Sequence, residues 1–333
     1  MSSNIEQEIQ ELHQCHDAMM KEFGQVIVGQ RDALEELLIT VFAGGHNLLE
    51  GVPGLAKTLM INTLARMMSL EFKRIQFTPD LMPSDITGTN VIEEDHVTGK
   101  RVTVFLSGPI FANVLLADEI NRTPPKTQSA LLQAMQEKEV TAGNKTYPLT
   151  LPFFVLATQN PIDQEGTYPL PEAQKDRFLL NTFIGYPQTG EEDEIVERTT
   201  TNATTEVRQV CNRDAVLAFQ KVVRSIPVSR HVTGYAVDLS RATRPTDPSA
   251  PSFVKDQVIW GAGPRASQAM ILCAKCRAAM GGRVNVACDD IRQVALPVLR
   301  HRMSPSFMAE AEGITTDTII KRLLEAVPER SGG

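Results

Sequence analysis

The sequence is poor in cysteine, in aromatic residues and in net positive charge, and each shortage narrows the possible functions. Its 5 cysteines are an odd number without the spacing of a disulfide framework, which favours a reducing compartment, the cytoplasm. Asp and Glu (40) outnumber Lys and Arg (33), so the net charge of −7 argues against a general polyanion-binding protein. The single Trp and the absence of zinc-ligand spacing or a recognisable nucleic-acid-binding module argue the same way. We therefore do not expect nucleic acid among the partners.

Long apolar runs are also missing. The longest, residues 37–49, is broken by Gly44, Gly45, His46 and Asn47, and it is shorter than the roughly 20 residues that a membrane helix needs. The first residues, MSSNIEQEIQELHQ, are polar and acidic, unlike a secretory signal. Hydrophobic (42%) and charged (22%) residues occur in ordinary globular proportions, and 333 residues allow one large domain or two. We expect neither a membrane span nor a signal peptide.

Short apolar runs alternate with helical patterns in the first half of the chain. Helices are predicted over residues 5–23 and 32–42, and in the second the apolar residues recur at i, i+3, i+4 and i+7. Strands are predicted over residues 47–50, 72–77, 114–117, 153–158 and 182–184. This alternation indicates a parallel sheet covered by helices, which is an α/β fold.

The pattern changes after Pro187. Helical periodicity dominates from residue 191 onwards, and no strong strand signal follows. The Pro-rich stretch 244–251 is predicted to be a loop. We predict two domains, an α/β domain over residues 1–187 and a smaller helical domain over residues 188–333.

A phosphate-binding loop is predicted at residues 51–58, GVPGLAKT, between a short apolar strand and an amphipathic helix. Gly51 and Gly54 allow backbone N–H groups to curl around phosphates, and the N-terminus of the following helix adds a positive dipole end. Lys57 would reach the β- and γ-phosphates, and the hydroxyl of Thr58 would bind Mg²⁺. A tight turn before a helix is the alternative interpretation.

The loop departs from the strict pattern at one position. Ala56 stands where glycine normally precedes Lys57. Alanine is the least disruptive replacement, provided that its φ angle stays negative. The backbone at Ala56 therefore tests this interpretation.

Two predicted strands end in polar residues suited to ATP chemistry. The run 114–117 ends in Asp118 and Glu119, and because isolated buried carboxylates are costly, we expect both in a crevice at the strand's carboxyl end. Asp118 would hold Mg²⁺, directly or through water, and Glu119 would polarise the attacking water. A solvated strand end is the alternative. A second apolar run ends near Asn160, whose amide can position water near a γ-phosphate and can also belong to a simple Asn-Pro turn.

On these motifs the chain resembles the AAA+ ATPases and, within them, the MoxR family. The matching segments lie in one order between residues 28 and 303 and are GVPGLAKT, LLADEINRTPPKTQSALLQAMQEKEVT, LATQNPIDQEGTYPLPEAQKDRF, GPRAS and VLRHRM. The resemblance implies a P-loop AAA+ fold, with a three-layer αβα core around a five-stranded parallel sheet and a small all-helical lid domain. It also implies a ring, usually a hexamer, with ATP between neighbouring subunits. Members of the family commonly carry alanine at the position of Ala56.

The resemblance assigns roles to further residues. Asn160 matches the sensor-1 position, Arg265 matches sensor 2, which projects from the lid toward the γ-phosphate, and Arg177 matches the arginine finger offered to the next subunit. Val28, Gly29 and Gln30 match the segment that packs near adenine. The nucleotide-contacting residues that the resemblance implies are Val28, Gly29, Gln30, Gly51, Val52, Pro53, Gly54, Leu55, Ala56, Lys57, Thr58 and Arg265.

Each transferred arginine role has a plainer alternative. Arg265, at the exposed start of a predicted helix, is alternatively a surface arginine. Arg177 follows Asp176 and is alternatively part of an intrachain salt bridge. Arg122 either contacts a neighbour's nucleotide or braces its own loop.

Two further segments are predicted to be hairpins, and they resemble the helix-2 insert and pre-sensor-1 hairpins of this AAA+ branch. The first covers residues 85–106 with its tip at residues 96–99, and the second covers residues 137–147 with a turn at residues 142–144. In a ring, such hairpins would line the pore and grip a client. Inert surface loops are the alternative.

The resemblance implies an ATP-hydrolysing, ring-forming molecular chaperone of the MoxR type. It would use ATP and Mg²⁺ to remodel partner complexes or to assist metal or cofactor insertion, often with a partner that carries a von Willebrand factor A domain. The alternatives are a nucleic-acid motor of the same AAA+ branch, a chelatase-like motor subunit and a nucleotide-dependent scaffold that does not hydrolyse ATP. The intact Lys57, Asp118, Glu119 and Arg177 argue against the scaffold.

Overall fold

The computed structural model describes residues 2–94, 100–160, 166–201 and 206–330. Its strands are β1 (Asn47–Glu50), β2 (Phe72–Gln76), β3 (Gly88–Glu94), β4 (Arg101–Ser107), β5 (Val114–Asp118), β6 (Glu139–Ala142), β7 (Lys145–Pro148), β8 (Phe154–Gln159), β9 (Leu180–Phe183), β10 (Val258–Trp260) and β11 (Ser304–Pro305). Its α-helices are α1 (Ser2–Val26), α2 (Arg31–Ala43), α3 (Lys57–Met67), α4 (Pro83–Thr87), α5 (Pro125–Glu137), α6 (Glu172–Lys175), α7 (Glu191–Thr199), α8 (Arg213–Ser225), α9 (Arg230–Ala242), α10 (Ser252–Gln257), α11 (Pro264–Met280), α12 (Cys288–Leu299), α13 (Phe307–Ala311) and α14 (Thr316–Ala326).

The predicted strands form a five-stranded parallel sheet in the order β2-β5-β8-β1-β9. The prediction of a parallel α/β sheet is therefore confirmed. The strand ends differ from the prediction by one or two residues, most at β9, which begins at Leu180 because Leu180 pairs with the first residue of β1, Asn47. Pairing in register, rather than the local apolar run, decides where this strand begins.

Alternate residues of the central strands enter two cores on opposite faces of the sheet. Leu116 and Leu156 pack with residues of α1, α2 and α3. Leu115 and Val155 pack instead with residues of α5. A strand that is buried on both faces must be apolar at nearly every position, which is why β5 and β8 are continuous apolar runs. The result is the expected three-layer αβα arrangement.

The first two helices are close to their predicted limits. Helix α1 extends three residues beyond both predicted ends, and α2 ends at Ala43 because Gly44 takes a φ of 73° and its N–H bonds back to carbonyls of the last turn. Within the described residues, no helix combines the length and the apolar character needed to cross a membrane.

Among the described residues after Pro187, the chain is helical apart from one short antiparallel pair. In this pair, Val258 lies opposite Pro305 and Trp260 lies opposite Ser304. The two strands were not predicted, because each is too short to give an alternation signal. Helices α8 and α11 pack against α1 and α2, and the rings of Phe42 and Phe219 meet edge to face at 5.8 Å. The helical lid is thus present, and the domain boundary at residue 187 stays a prediction.

Both predicted hairpins are present. In the first, β3 and β4 pair from Gly88 opposite Ser107 to Glu94 opposite Arg101. Its predicted tip, residues 96–99, lies outside the described residues. The second consists of β6 and β7, and Gly143 supplies the positive φ of its turn. Phe105 and Tyr147 stack with ring centroids 4.2 Å apart and join the two hairpins.

Candidate nucleotide-binding site

The phosphate loop, β2 and the carboxyl ends of β5 and β8 surround one cavity of about 450 Å³. The carboxyl edge of a parallel sheet is where open α/β folds bind ligands. The cavity is lined by Pro53, Gly54, Leu55, Ala56, Lys57, Thr58, Leu59, Arg74, Gln76, Asp118, Glu119, Thr158 and Asn160. The structure therefore brings most of the predicted loop together with both predicted carboxylates and Asn160.

Two loop positions require glycine. A Cβ atom on Gly51 would lie 2.5 Å from the carbonyl oxygen of Ile184, so the loop can leave β1 along this path only without a side chain. Gly54 has a φ of 87°, which glycine adopts without the steric cost that other residues incur. The loop then turns into α3, whose first residue is Lys57.

Ala56 does not satisfy the condition set by the sequence. It lies in the left-handed region, with φ 56° and ψ 18°, as the residue that precedes α3. The condition under which alanine would be harmless here, a negative φ, is therefore not met. An L-residue in this region costs about 1–2 kcal/mol, because Cβ approaches the following carbonyl oxygen. The loop holds this strain at a site where it positions Lys57.

The ammonium group of Lys57 lies inside the curve of the loop. It donates hydrogen bonds to the carbonyl oxygens of Gly51 and, at 3.1 Å, Val52. Burial lowers the pKa of Lys57, and the nearby carboxylates of Asp118 and Glu119 act in the opposite direction. The site therefore combines a cation, a helix N-terminus and loop N–H groups, which is the donor set of a phosphate site.

The two acidic residues at the end of β5 are both hydrogen-bonded to the hydroxyl of Thr158. Asp118 is the last residue of the strand, and its Oδ1 accepts a hydrogen bond from the hydroxyl of Thr158 at 2.6 Å. Glu119 takes a left-handed conformation, φ 56° and ψ 49°, and its N–H donates to the same hydroxyl at 2.8 Å. Thr158 thus fixes the chain at the point where the strand ends.

Two residues of β2 also belong to this site, and sequence reasoning missed them. Arg74 donates from Nε and Nη2 to Oδ2 of Asp118, at 3.0 and 2.6 Å. Gln76 donates from Nε2 to Oε2 of Glu119 at 2.7 Å. Their spacing of two residues places both on one face of β2. Only the pairing of β2 with β5 shows that this face meets the carboxylates.

Arg122 lies beside Glu119, and Asn160 lines the same cavity as Glu119. Nε of Arg122 lies 3.1 Å from Oε2 of Glu119, so in this structure Arg122 braces its own loop, which was one of the two alternatives. Asn160 is buried, lies just after β8 and lines the cavity. Its role as a sensor of the γ-phosphate stays a prediction.

The predicted adenine-side segment lies outside this cavity lining. Gln30 donates from Nε2 to the carbonyl oxygen of Gly185 at 2.7 Å. Gly29 is so close to Glu191 that a Cβ atom would lie 2.5 Å from its carboxyl group. Gly29 therefore lies beside the first residue of α7, and Gln30 is bonded to the connection between β9 and α7. The contact of Val28, Gly29 and Gln30 with adenine is not tested by these interactions and stays a prediction.

The two transferred arginines share a second, larger cavity of about 770 Å³ between the sheet domain and the lid. Arg177 and Arg265 line it, together with the cations Lys138, Arg224, Lys275 and Arg302. Among the described residues, Asp176 is the single carboxylate in this lining. Asp176 lies 2.8 Å from Nε of Arg302 and 3.5 Å from Nη1 of Arg265. Positive charge therefore dominates this cavity.

This placement bears on both transferred arginines. Arg265 lines this second cavity and not the cavity of its own phosphate loop. Asp176 pairs with Arg302 and Arg265, whereas Arg177 donates from Nη1 to the carbonyl oxygen of Leu132 at 2.7 Å. An ion pair between Arg177 and Asp176 is thus not what the described residues form. The catalytic roles of both arginines stay predictions.

The residues of the first cavity fit a nucleotide with its magnesium ion. The hydroxyl of Thr58 and the carboxylate of Asp118 are the oxygen ligands that Mg²⁺ prefers, and both line the same space as Lys57. Glu119 lies beside them as a carboxylate that can accept a proton. The donor set is therefore that of a phosphoryl-transfer site rather than of a simple turn before a helix.

Comparisons with known proteins agree with this geometry. Residues 46–180 match the family model of the ATPase family associated with various cellular activities (AAA), and residues 252–323 match the AAA lid domain. Chaperone MoxR1 of Mycobacterium tuberculosis is 43% identical over 317 residues, which cover 95% of this chain and 82% of that protein. Protein MoxR of Methylorubrum extorquens is 29% identical, over 92% of this chain and 93% of the relative.

A solved structure extends the agreement to the whole fold. The crystal structure of a protein from Cytophaga hutchinsonii, provisionally named an ATPase, superposes with a TM-score of 0.90 at 42% sequence identity. The match covers 99% of both chains. The phosphate loop, the acidic strand end, the lid and these relatives together show that the chain belongs to the MoxR family of AAA+ ATPases.

Proposed function

We propose that this protein is an ATP-hydrolysing, Mg²⁺-dependent chaperone that assembles into a ring in the cytoplasm and remodels partner complexes. One observation carries the proposal: Lys57, Asp118 and Glu119 line a single cavity at the end of the sheet. A cation for phosphates, a ligand for Mg²⁺ and a base for water are the minimum set for hydrolysing a phosphoric anhydride.

Different residues of the chain would hold the phosphates, bind the metal ion and activate the attacking water. The loop N–H groups and Lys57 would hold the phosphates, and Thr58 and Asp118 would hold Mg²⁺, which when bound offsets charge on the β- and γ-phosphates. Glu119 would accept a proton from the attacking water at Oε2. In this structure, Oε2 accepts a hydrogen bond from Gln76 and lies 3.1 Å from Nε of Arg122.

The ring is proposed from the separation of the two cavities. Arg177 and Arg265 line a cationic space that does not include the phosphate loop of the same chain. An anion would stabilise this excess of cationic side chains, and the phosphates bound by a second subunit would supply one. A closed ring, expected to be a hexamer, repeats this contact around its axis. The client, and a partner with a von Willebrand factor A domain, are part of the proposal by family analogy.

Two variants and a matched control test the activity. Lys57→Ala should weaken ATP binding about 10- to 100-fold, as expected for the loss of a charge-assisted contact worth about 1.5–3 kcal/mol. Glu119→Gln should bind ATP normally and hydrolyse it about 10²–10⁴-fold more slowly, because the amide keeps the shape but cannot accept the proton. Lys255→Ala changes an exposed lysine of α10 and should alter neither quantity.

Calorimetry and phosphate release measure the two effects separately. Wild-type affinity in Lys57→Ala would remove the phosphate loop from the proposal. Unchanged turnover in Glu119→Gln would remove the base. Loss of binding in Glu119→Gln would assign that residue to the metal instead.

A further inference from the structure

We propose that His13, His16 and Asp17 of α1 form a zinc site that holds the N-terminal helix against the lid. Two imidazoles and a carboxylate suit a divalent cation of the zinc class, whereas magnesium prefers oxygen ligands throughout. None of the three residues lines the nucleotide cavity. The inference therefore goes beyond the proposed function and does not depend on it.

The three side chains gather on one side of α1 because their spacing follows the helix. His16 and Asp17 come three and four residues after His13, and residues at these spacings are neighbours on a helix surface. One ring nitrogen of each histidine and one carboxylate oxygen all lie within 4.8 Å of one another. Within the described part of the chain, no other set of three His, Cys, Asp or Glu side chains meets so closely.

The distances between these atoms suit a tetrahedral zinc ion. Oδ2 of Asp17 lies 3.7 Å from Nε2 of His13, and Oδ1 of Asp17 lies 3.0 Å from Nδ1 of His16. Zinc binds nitrogen and carboxylate oxygen at about 2.0–2.2 Å, so two ligand atoms on a tetrahedral zinc lie about 3.3 Å apart. The two observed distances fall on either side of this value. The side chains therefore need little movement to meet one zinc ion, with water as its fourth ligand.

His13 is held in the orientation that a metal ligand needs. Its Nδ1 lies 2.6 Å from the carbonyl oxygen of Met280, and because a carbonyl oxygen only accepts, Nδ1 carries a proton. In the neutral ring, Nε2 then carries the lone pair, and it faces the carboxylate of Asp17. Two such acceptors repel each other unless a second proton on the ring or a metal ion lies between them. Metal-binding histidines usually donate their other ring nitrogen to a carbonyl or a carboxylate in this way.

His16 and Asp17 supply an enclosed ligand and an open approach. The side chain of His16 is 11% exposed, and its buried Nε2 has no hydrogen-bond partner among the described residues. An unpartnered polar atom in the interior is costly, so the contact with Asp17 does not by itself account for a buried imidazole here. A bond from Nδ1 to zinc would compensate for this cost. The side chain of Asp17 is 62% exposed, so an ion can enter from solvent.

The site would strengthen the contact between α1 and the end of the lid helix α11. Met280, which accepts the hydrogen bond from His13, is the last residue of α11. In the turn that follows, the carbonyl oxygen of Gly282 accepts a hydrogen bond from Nε2 of Gln10 at 3.1 Å. Zinc bound to His13 would fix the ring that contacts Met280. Because a ligand that binds only the folded state stabilises it by mass action, zinc should raise the unfolding temperature of the protein.

Calorimetric titration of the full chain with Zn²⁺ tests the site. Excess Mg²⁺ is present, because it competes for the oxygen ligands of the nucleotide cavity but not for imidazole. We expect the tightest site to hold one Zn²⁺ per chain. Asp17→Asn keeps the shape and an acceptor for His16 but loses the charged ligand, and both this variant and His13→Ala should weaken zinc binding at least about 10-fold. His231→Ala removes a histidine of α9 outside the cluster and should bind zinc like the wild type.

Cobalt(II) distinguishes this site from one built on thiols. Cys15, on the same helix, and Cys211 line a common cavity, and thiolates also bind zinc. Bound Co²⁺ should give visible d–d bands without thiolate-to-metal charge transfer, and Cys15→Ser should leave its spectrum unchanged. A charge-transfer band that disappears in Cys15→Ser would overturn the proposal, because the metal would then be bound by the cysteines. Equal zinc affinity in Asp17→Asn, His13→Ala and the wild type, or no zinc binding by the wild type, would overturn it as well.

Discussion

The carboxylate of Asp176 accepts a hydrogen bond from Nε of Arg302 at 2.8 Å and so joins the segment that carries Arg177 to the lid. Arg302 is almost fully buried and also donates to the carbonyl oxygens of Phe178 and Leu179. Burial lowers the pKa of Arg302, and Asp176 is the main group that counteracts this shift. The Asp176–Arg302 pair should therefore stabilise the fold and also hold the segment that carries Arg177 in place.

Replacing Asp176 should expose that dependence. In Asp176→Ala the buried Arg302 charge loses its partner, and we expect a loss of about 3 kcal/mol in the free energy of unfolding. Glu172→Ala is the matched control, because Glu172 lies on the adjacent α6 and pairs with Lys175 at 3.0 Å in an exposed position, where an ion pair is worth about 0–1 kcal/mol. Denaturant titration of both variants measures the difference. Equal losses would mean that the Asp176–Arg302 pair adds nothing beyond a surface contact.

Removing the backbone strain at Ala56 of the phosphate loop should raise stability, whereas Asp176→Ala should lower it. Ala56→Gly should stabilise the protein by about 1 kcal/mol, because glycine adopts a φ of 56° without the clash of Cβ. Ala130→Gly, in the interior of α5, should destabilise it by about 1 kcal/mol through helix propensity alone. Thermal unfolding of the two variants should therefore shift in opposite directions. A lower unfolding midpoint for Ala56→Gly would contradict this expectation. It would show that alanine stabilises the protein more by restricting the unfolded chain than its strain in the loop destabilises it.

The fold could be predicted from the sequence because its signals are local. β5 and β8 are apolar at nearly every position, since both faces are buried, and the loop GVPGLAKT needs glycine at Gly54 because of that residue's own positive φ. Hairpin turns and helix ends are local in the same sense. The need for Gly51 is different, because it comes from the carbonyl oxygen of the distant Ile184. The short pair β10–β11 was missed because its few residues carry no periodicity.

The partners within the site could not be predicted in the same way. The segment FKRIQF does not say that Arg74 and Gln76 face Asp118 and Glu119, since that depends on β2 lying beside β5 in the sheet. The position of Arg265 depends likewise on how the lid packs, which placed it beside Asp176 rather than the phosphate loop. Contacts between distant segments depend on the three-dimensional arrangement, so the local residue pattern of the sequence does not indicate them.

Stability should depend on pH through Glu36 of α2. Burial raises its pKa to about 7, and one of its carboxyl oxygens has no hydrogen-bond partner among the described residues. A carboxyl group with an ordinary unfolded pKa near 4.5 and a higher folded pKa is protonated preferentially in the folded state. Stability from this group is therefore lost as the pH rises from about 5 to 7, by about 3 kcal/mol in total.

Glu36→Gln isolates that contribution. The variant should be more stable than the wild type by about 1–3 kcal/mol at pH 8 and should differ little from it at pH 5. The comparison at each pH is needed because buried His46, whose pKa is lowered to about 4, destabilises both proteins in acid. Urea titrations at the two pH values provide the measurement. A difference that does not change with pH would remove Glu36 as its source.

The loss of Arg177 should separate binding from hydrolysis. Arg177 lines the cationic cavity and does not line the cavity of its own phosphate loop. Arg177→Ala should therefore keep the wild-type ATP affinity in calorimetry. Turnover should fall steeply, because arginine fingers contribute about 10³–10⁵ to the rate where they have been measured. A parallel loss of affinity would place Arg177 in the binding site of its own subunit instead.

Mixing two inactive variants tests whether the site is shared between subunits. Arg177→Ala chains retain Lys57, and Lys57→Ala chains retain Arg177, so an interface that joins an intact Lys57 to an intact Arg177 should recover hydrolysis. Recovery requires co-assembly, which native mass spectrometry of the mixture establishes independently. Co-assembled rings without any activity would show that both residues serve one subunit. Recovered activity would require the finger and the phosphate loop to meet across an interface, because neither chain alone contains both.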